Sequence, residues 1–394
     1  MEPRAYITEQ LSMIVGAQVE VTDAQVERFW EMLTRREEHS GPVDRHGNYE
    51  YTDSTLARMD LLEQAPLHSE IAALAARVDN AVPRWPHGHR FAACLTHDID
   101  RIVTCPWRER LRQCGLMRGH ASPLQLLRWY TGSLLYGLRS LAGANDRKTY
   151  DFWREEEGRR GFHSTFFVLP EQLEHPSVHD LFYRYDDMIM MNGTSMTFAE
   201  ASRQMVALGW EVGLHGSYKS AYDAQILRAE KEQVEAMLGQ PVTAVRQHYL
   251  RFHIDVTPRV HQNAGFQVDS TLGYSQTIGC RAGLAFPFFW PEMDLLQIPL
   301  IIQDVGLLRD RSFGNLQQAI ARAEALIRRI AEVGGVVTLS WHTHPESPGA
   351  YPCYRALLDL IAELNGWGCS VGEVNAWWRQ RRAALYPDII RMVS

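Results

Sequence analysis

From Ser164 to His342 short apolar runs alternate with helical stretches, and a chain with that rhythm has few folds open to it. Ser164 to Leu169 reads as a buried strand, as do Glu211 to His215, Thr243 to His248, Gly265 to Asp269, Leu295 to Ile301 and Val336 to His342. Upstream, Phe91 to Leu95 adds one more. Helical patterns fall between them: Thr197 to Gly209, Ala224 to Leu238 stopped by Gly239 and Pro241, and Asn315 to Val333 ended by Gly334-Gly335. Two amphipathic helices near 352–366 and 371–385 close the chain. Strand–helix alternation without a Gly-x-Gly-x-x-Gly fingerprint favours an α/β fold built on a barrel-like parallel sheet over a dinucleotide-binding fold.

The first strand ends in Thr96-His97-Asp98-Ile99-Asp100. Residues two apart on a strand share a face, so Asp98 and Asp100 point into one space, where they repel unless positive charge joins them. A divalent metal would answer this, with one carboxylate binding it and the other left free as a base; a polar strand end with a capping residue is the plainer reading. The remaining strands also finish in groups able to coordinate or shuttle protons: His215, Arg246 with His248, Asp269, Asp304, and His342 with His344. Active sites of parallel barrels lie at those C-terminal strand ends.

Residues 1–86 read as a small helical N-terminal domain with polar faces, and its histidines (39, 46, 68, with 87 and 89 just beyond) as solvent-exposed. Residues 87–394 form the barrel domain, interrupted at about 101–150 by an insertion with nine Lys or Arg against two acids. Leu124 to Leu141 within it is compatible with an amphipathic helix on anionic lipid, a lid over an anionic substrate, or a helix docked on the barrel. The overall formal charge of −7 argues against a dedicated nucleic-acid binder. No long apolar span and no secretory leader are evident, and six cysteines without Cys-x-x-Cys spacing fit reduced thiols, so a cytoplasmic location is expected.

In order and spacing, these residues resemble the polysaccharide deacetylases with the NodB homology domain, carbohydrate esterase family 4. Thr96-His97-Asp98-Ile99-Asp100 is similar to that family's paired-aspartate motif. Gly213-Leu214-His215-Gly216-Ser217-Tyr218 is similar to its histidine motif, and Arg246-Gln247-His248-Tyr249 to its Arg-x-Pro-Tyr motif. Val268-Asp269-Ser270-Thr271 and Leu339-Ser340-Trp341-His342 are similar to the last two motifs. Phe29 to Asp60 also resembles the N-terminal region of a subgroup associated with bacterial surface-polysaccharide loci.

The resemblance implies a distorted (β/α) barrel of about seven parallel strands. It also implies a metal-dependent de-N-acetylase, most simply with Zn2+, acting on an N-acetylated sugar or oligosaccharide, lipid- or nucleotide-linked in some cases. Asp98 would be the base, Asp100 and His215 metal ligands, His342 the general acid, Arg246 the partner of Asp98, and Asp269, or else Asp304, the partner of His342. Where the family carries His-x-x-x-His, this chain has Lys219 four residues after His215, and a protonated ammonium cannot coordinate. His248, at the motif's Pro position, is the candidate third ligand. Tyr249, Arg281 and Trp341 are candidate substrate contacts, with a structural ion pair an equal reading for Arg281. A catalytically silent, sugar-binding or scaffolding relative remains the alternative.

Overall fold

The protein is described here by a computed structural model covering residues 2–79, 81–82, 84–103, 107–117, 122–141, 148–309, 315–345 and 347–387. Cys105, Arg118, Asp146 and Arg147 of the basic insertion lie outside those residues.

Twelve strands are described: β1 (Phe91–Ile99), β2 (Thr165–Val168), β3 (Met188–Met191), β4 (Thr194–Thr197), β5 (Glu211–Gly216), β6 (Ala244–Gln247), β7 (Val268–Asp269), β8 (Phe288–Phe289), β9 (Leu296–Gln297), β10 (Ile302–Gln303), β11 (Val336–His342) and β12 (Gly366–Cys369). The main sheet runs β10-β11-β1-β2-β5-β6-β7-β9-β8, parallel except for β8 against β9, while β3 and β4 form a separate hairpin. No pairing among the described residues joins β8 to β10, so the sheet curls into an incomplete barrel with helices packed around it. β1 is its centre. β11 pairs along one edge from Ala92 to Asp98, whereas β12 takes Phe91 to Cys94 of the other edge and β2 takes Thr96 to Ile99. All nine residues of β1 are buried, as a parallel strand covered on both faces should be.

Helix boundaries follow local chemistry. Thr22 with Gln25, Thr197 with Glu200 and Ser370 with Glu373 form capping boxes at the starts of Asp23–Leu33, Phe198–Ala207 and Val371–Leu385. Gly334 ends Leu316–Val333 at φ 69°, and a Cβ there would stand 2.9 Å from the Arg90 carbonyl oxygen, so only glycine fits the turn into β11.

The N-terminal segment is not the polar-faced cap that its composition implies. Helix Pro3–Val15 buries Tyr6, Ile7, Leu11, Met13, Ile14 and Val15 in the same apolar core as the sheet. The Tyr6 hydroxyl donates to the Phe289 carbonyl at 2.7 Å, and Gln10 accepts from the Phe289 amide at 3.0 Å, which caps the short β8 edge. His68, expected in solvent, is also buried; it accepts from the Ala285 amide at 3.0 Å, and burial lowers its pKa to about 4.

For Arg281 the structure selects the ion pair of its two readings. Its guanidinium forks onto Glu38 at 2.9 and 2.6 Å and donates to the Gly273 carbonyl at 3.0 Å, all inside the protein, so it ties the N-terminal segment to the barrel instead of meeting substrate. Arg35 adds a third bond to Glu38 at 2.8 Å. Burial works to raise the Glu38 pKa, but Arg281 and then Arg35 outweigh it and bring it from 4.5 down to about 2. A carboxyl whose pKa is depressed on folding stabilises the fold above its unfolded pKa and loses that contribution as pH falls towards its folded one. Glu38→Gln is therefore expected to lower stability at pH 7 by about 3–5 kcal/mol, since the buried Arg281 loses its carboxylate partner and Arg35 is left with Glu37 at 2.9 Å. In urea titrations the gap to wild type should close as pH falls from 4.5 towards 2.

Candidate active site

Every group at the site sits at or just past the C-terminal end of a strand. In the β1–β11 register Asp98 lies opposite His342, and in the β5–β6 register His215 lies opposite Arg246. Parallel pairing thus brings four chemically active side chains to one rim from positions almost 250 residues apart.

Asp98 is buried, with Arg246 Nη1 donating to its Oδ1 at 2.9 Å and Ser340 Oγ to its Oδ2 at 3.1 Å. Arg246 is itself fixed. It donates to Thr96 Oγ1 at 2.6 Å, to Ser340 Oγ and the Ser270 carbonyl at 3.0 Å, and to Ser270 Oγ at 2.8 Å, and its plane lies over the Phe167 ring. Burial pushes the Asp98 pKa up, but Arg246, then His215 and His342, hold it below the ordinary carboxylate value. It is an ionised, oriented carboxylate at neutral pH.

Beside it, Asp100 Oδ1 faces two imidazoles, His215 Nε2 at 3.5 Å and His248 Nε2 at 3.8 Å. His215 Nδ1 is spoken for by the Arg246 carbonyl at 3.0 Å, which turns Nε2 towards Asp100. Asp100 Oδ1 and His248 Nδ1 are buried without a hydrogen-bond partner. Ligand atoms from these three residues all fall within 4.8 Å of one another. Bonds of about 2.0–2.2 Å around a tetrahedral zinc place neighbouring ligand atoms roughly 3.3–3.6 Å apart, so the spacing suits a shared ion. An orphaned buried carboxylate oxygen beside two imidazole nitrogens is the environment a divalent cation satisfies. Burial lowers the His248 pKa to about 4, which keeps it neutral, as coordination requires. The Lys219 side chain is exposed and takes no part.

His342 completes the cluster. Its Nδ1 meets Asp304 Oδ1 at 2.8 Å and its Nε2 faces Asp100 Oδ2 at 3.5 Å. The His342 amide also donates to Asp304 at 3.2 Å. Burial works to lower its pKa, but Asp304, followed by Asp100 and Asp98, raises it to about 10, making it an imidazolium at neutral pH. Asp304, not Asp269, is thus its orienting partner. Asp269 is engaged elsewhere, accepting from the Thr271 amide at 2.7 Å and lying 3.4 Å from His261 Nδ1. Trp341, adjacent to His342 on β11, necessarily faces the other side; it is fully buried and donates to the Ala350 carbonyl at 3.1 Å, so it cannot meet substrate.

Tyr249 is 39% exposed and packs edge-on against His248 with ring centroids 4.6 Å apart. It adopts φ 61°, and Leu250 follows at φ 50°, a left-handed pair that non-glycine residues rarely hold unless clamped. The clamp comes from the N-terminal segment, through groups with no motif to mark them. Asn48 donates to the Tyr249 carbonyl at 3.1 Å and accepts from the Phe252 amide at 3.0 Å, while Arg251 Nε donates to the His46 carbonyl at 2.8 Å. His46, half-buried rather than free in solvent, lies 4.6 Å from the Tyr249 ring and with His179 and Tyr218 forms an aromatic wall beside the site.

No protein-family model and no curated protein matches this sequence. Among solved structures it is similar to a protein of Mycobacterium smegmatis assigned as a polysaccharide deacetylase, at 18% identity and a TM-score of 0.47, covering 78% of this chain and 96% of that one. A protein of Pseudomonas aeruginosa PAO1 with the same assignment gives 18% identity and a TM-score of 0.49, covering 76% and 95%. The Puue allantoinase gives 16% identity and a TM-score of 0.48, covering 77% and 94%.

Proposed function

We propose that this protein is a metal-dependent hydrolase that removes an N-acetyl group from a sugar in surface-polysaccharide metabolism, in the manner of the polysaccharide deacetylases its motifs resemble. The observation that carries this reading is the convergence of Asp100, His215 and His248 on one unsatisfied carboxylate oxygen, flanked by Asp98–Arg246 on one side and His342–Asp304 on the other. Two nitrogens and one oxygen would hold Zn2+ with positions left for water and substrate. When bound, the ion supplies Lewis acidity that polarises the acetamide carbonyl and makes water a nucleophile near neutral pH.

The chain's own groups do the rest. Asp98, ionised and oriented by Arg246, takes the proton of the attacking water. The backbone N–H of Tyr249, in the pose the Asn48 clamp imposes, would donate to the oxyanion that develops on the carbonyl oxygen. His342, protonated and aligned by Asp304, delivers a proton to the sugar nitrogen as the carbon–nitrogen bond breaks. An amide anion cannot leave unaided, so this transfer completes the step. The products are acetate and a free amino sugar. Tyr249 and the adjoining His46, His179 and Tyr218 offer ring faces on which a sugar could stack.

The test is acetate release from a panel of N-acetylated sugars, free, nucleotide-linked and lipid-linked, before and after chelator treatment and zinc restoration. At least one substrate should release acetate, in a reaction lost with the metal and restored with it. His342→Asn should lower turnover by about 10²–10⁴-fold with metal content unchanged. A zinc-loaded protein that binds an N-acetyl sugar but releases no acetate would make it a silent binding protein instead.

A further inference from the structure

The two helices that follow β1, Trp107–Met117 and Pro123–Leu141, pack against each other at the rim of the site. Their shared face is well made. Ser133 is buried there, and the Arg110 guanidinium lies 4.9 Å from the Trp129 ring and 4.9 Å from the Tyr136 ring. The opposite face of Pro123–Leu141 is unusual for a protein surface. Leu124, Leu127, Leu134, Leu135, Leu138 and Leu141 are between 54% and 87% exposed. At about 100° per residue they occupy one continuous arc of roughly 120°, along a helix about 28 Å long. Soluble surfaces scatter apolar residues singly; a row of six leucines on one arc marks an interaction face.

The charges around this face select its occupant. Arg128 and Arg139 border the leucine arc, and Arg108 and Arg112 are exposed on the neighbouring helix. Glu109, the one acid described in these two helices, is buried. Every exposed charge described on the pair is therefore positive, in a chain whose overall formal charge is −7. A convex leucine ridge edged with arginines suits the boundary between acyl chains and anionic headgroups, where leucines enter the apolar side and guanidiniums reach the phosphates. No described helix is long and apolar enough to cross a membrane, so such a contact would lie in the plane of the surface.

We propose that the leucine face of Pro123–Leu141 is a membrane-docking surface for bilayers carrying anionic lipid. The helix pair is tied to the site through Gln113, which donates to the Asp180 carbonyl at 3.4 Å, and through Asp180, which accepts from the Tyr218 amide at 2.7 Å. Docking would therefore bring Tyr218, one of the aromatic groups beside the site, along with the helix pair.

The test is co-sedimentation of the full chain with phosphatidylcholine vesicles, with and without phosphatidylglycerol, alongside its mass by light scattering. The chain should bind the anionic vesicles and release as salt rises. Leu127→Glu/Leu134→Glu/Leu138→Glu should bind at least about tenfold more weakly with an unchanged melting profile, because all three side chains already face solvent. Arg128→Glu/Arg139→Glu should lose most of the preference for phosphatidylglycerol. Failure of wild type to bind either vesicle would overturn the proposal, a dimer in that case assigning the face to a second copy of the chain. Equal binding by the triple leucine variant would overturn it as well. None of these readouts depends on catalysis, so the surface and the deacetylase reading stand or fall separately.

Discussion

Asp98→Asn is expected to cut acetate release by about 10²–10⁴-fold while leaving the metal in place. The amide is nearly isosteric with the carboxylate, and its oxygen can still accept from Arg246 Nη1, which sits 2.9 Å from Oδ1 in the wild type. What it loses is the capacity to take a proton from water. Asp98→Ala is a poorer probe, since it strands the fully buried Arg246 without its counter-charge at a cost of about 3–5 kcal/mol. Turnover, zinc content and melting temperature measured together on the Asn variant separate a lost base from a lost fold. Unchanged turnover would remove Asp98 from the mechanism.

The second large effect concerns the ion. His215→Ala and His248→Ala should each weaken zinc binding by more than about 100-fold, beyond what losing an outer-shell partner costs. His248 is the sharper case, because it is the second imidazole at Asp100 Oδ1, while Lys219, four residues after His215, cannot coordinate while protonated. Its Nε2 stands 3.8 Å from Asp100 Oδ1, and its Nδ1 has no partner. Lys219→Ala should leave affinity unchanged, since that side chain points to solvent. Competition titration against a chromophoric zinc chelator reads all three. Retained affinity in His248→Ala would mean that the third ligand comes from elsewhere.

Much of this site could be read from the chain because strands encode facing directly. Asp98 and Asp100 share a face by alternation, and His215, Arg246 and His342 lie at ends of apolar runs that parallel pairing brings to one rim. The same alternation, applied to Trp341, would have placed it opposite His342 and in the core. Asp304 carries no such pattern. It follows a two-residue strand, β10, whose register against β11 is fixed by tertiary packing and not by any periodic pattern. Asp269 matched a motif, yet the neighbouring Thr271 and His261, on helix Thr257–Asn263, claim it. The N-terminal segment hides its role for a different reason. Helix Pro3–Val15 mixes Glu9, Gln10 and Ser12 with its apolar residues, and all three are buried, so composition gave no sign that it enters the core. The Asn48 clamp on Tyr249 joins residues 201 positions apart and leaves no local trace.

One divalent ion is expected between Asp100, His215 and His248. Crystals of the full chain grown with zinc, with anomalous data collected on both sides of the zinc absorption edge, would locate it. A single strong peak about 2.0–2.2 Å from an Asp100 carboxylate oxygen and from Nε2 of both histidines is the expected outcome. A zinc-saturated protein with no peak among these three residues, or with the zinc bound by other side chains, would contradict it.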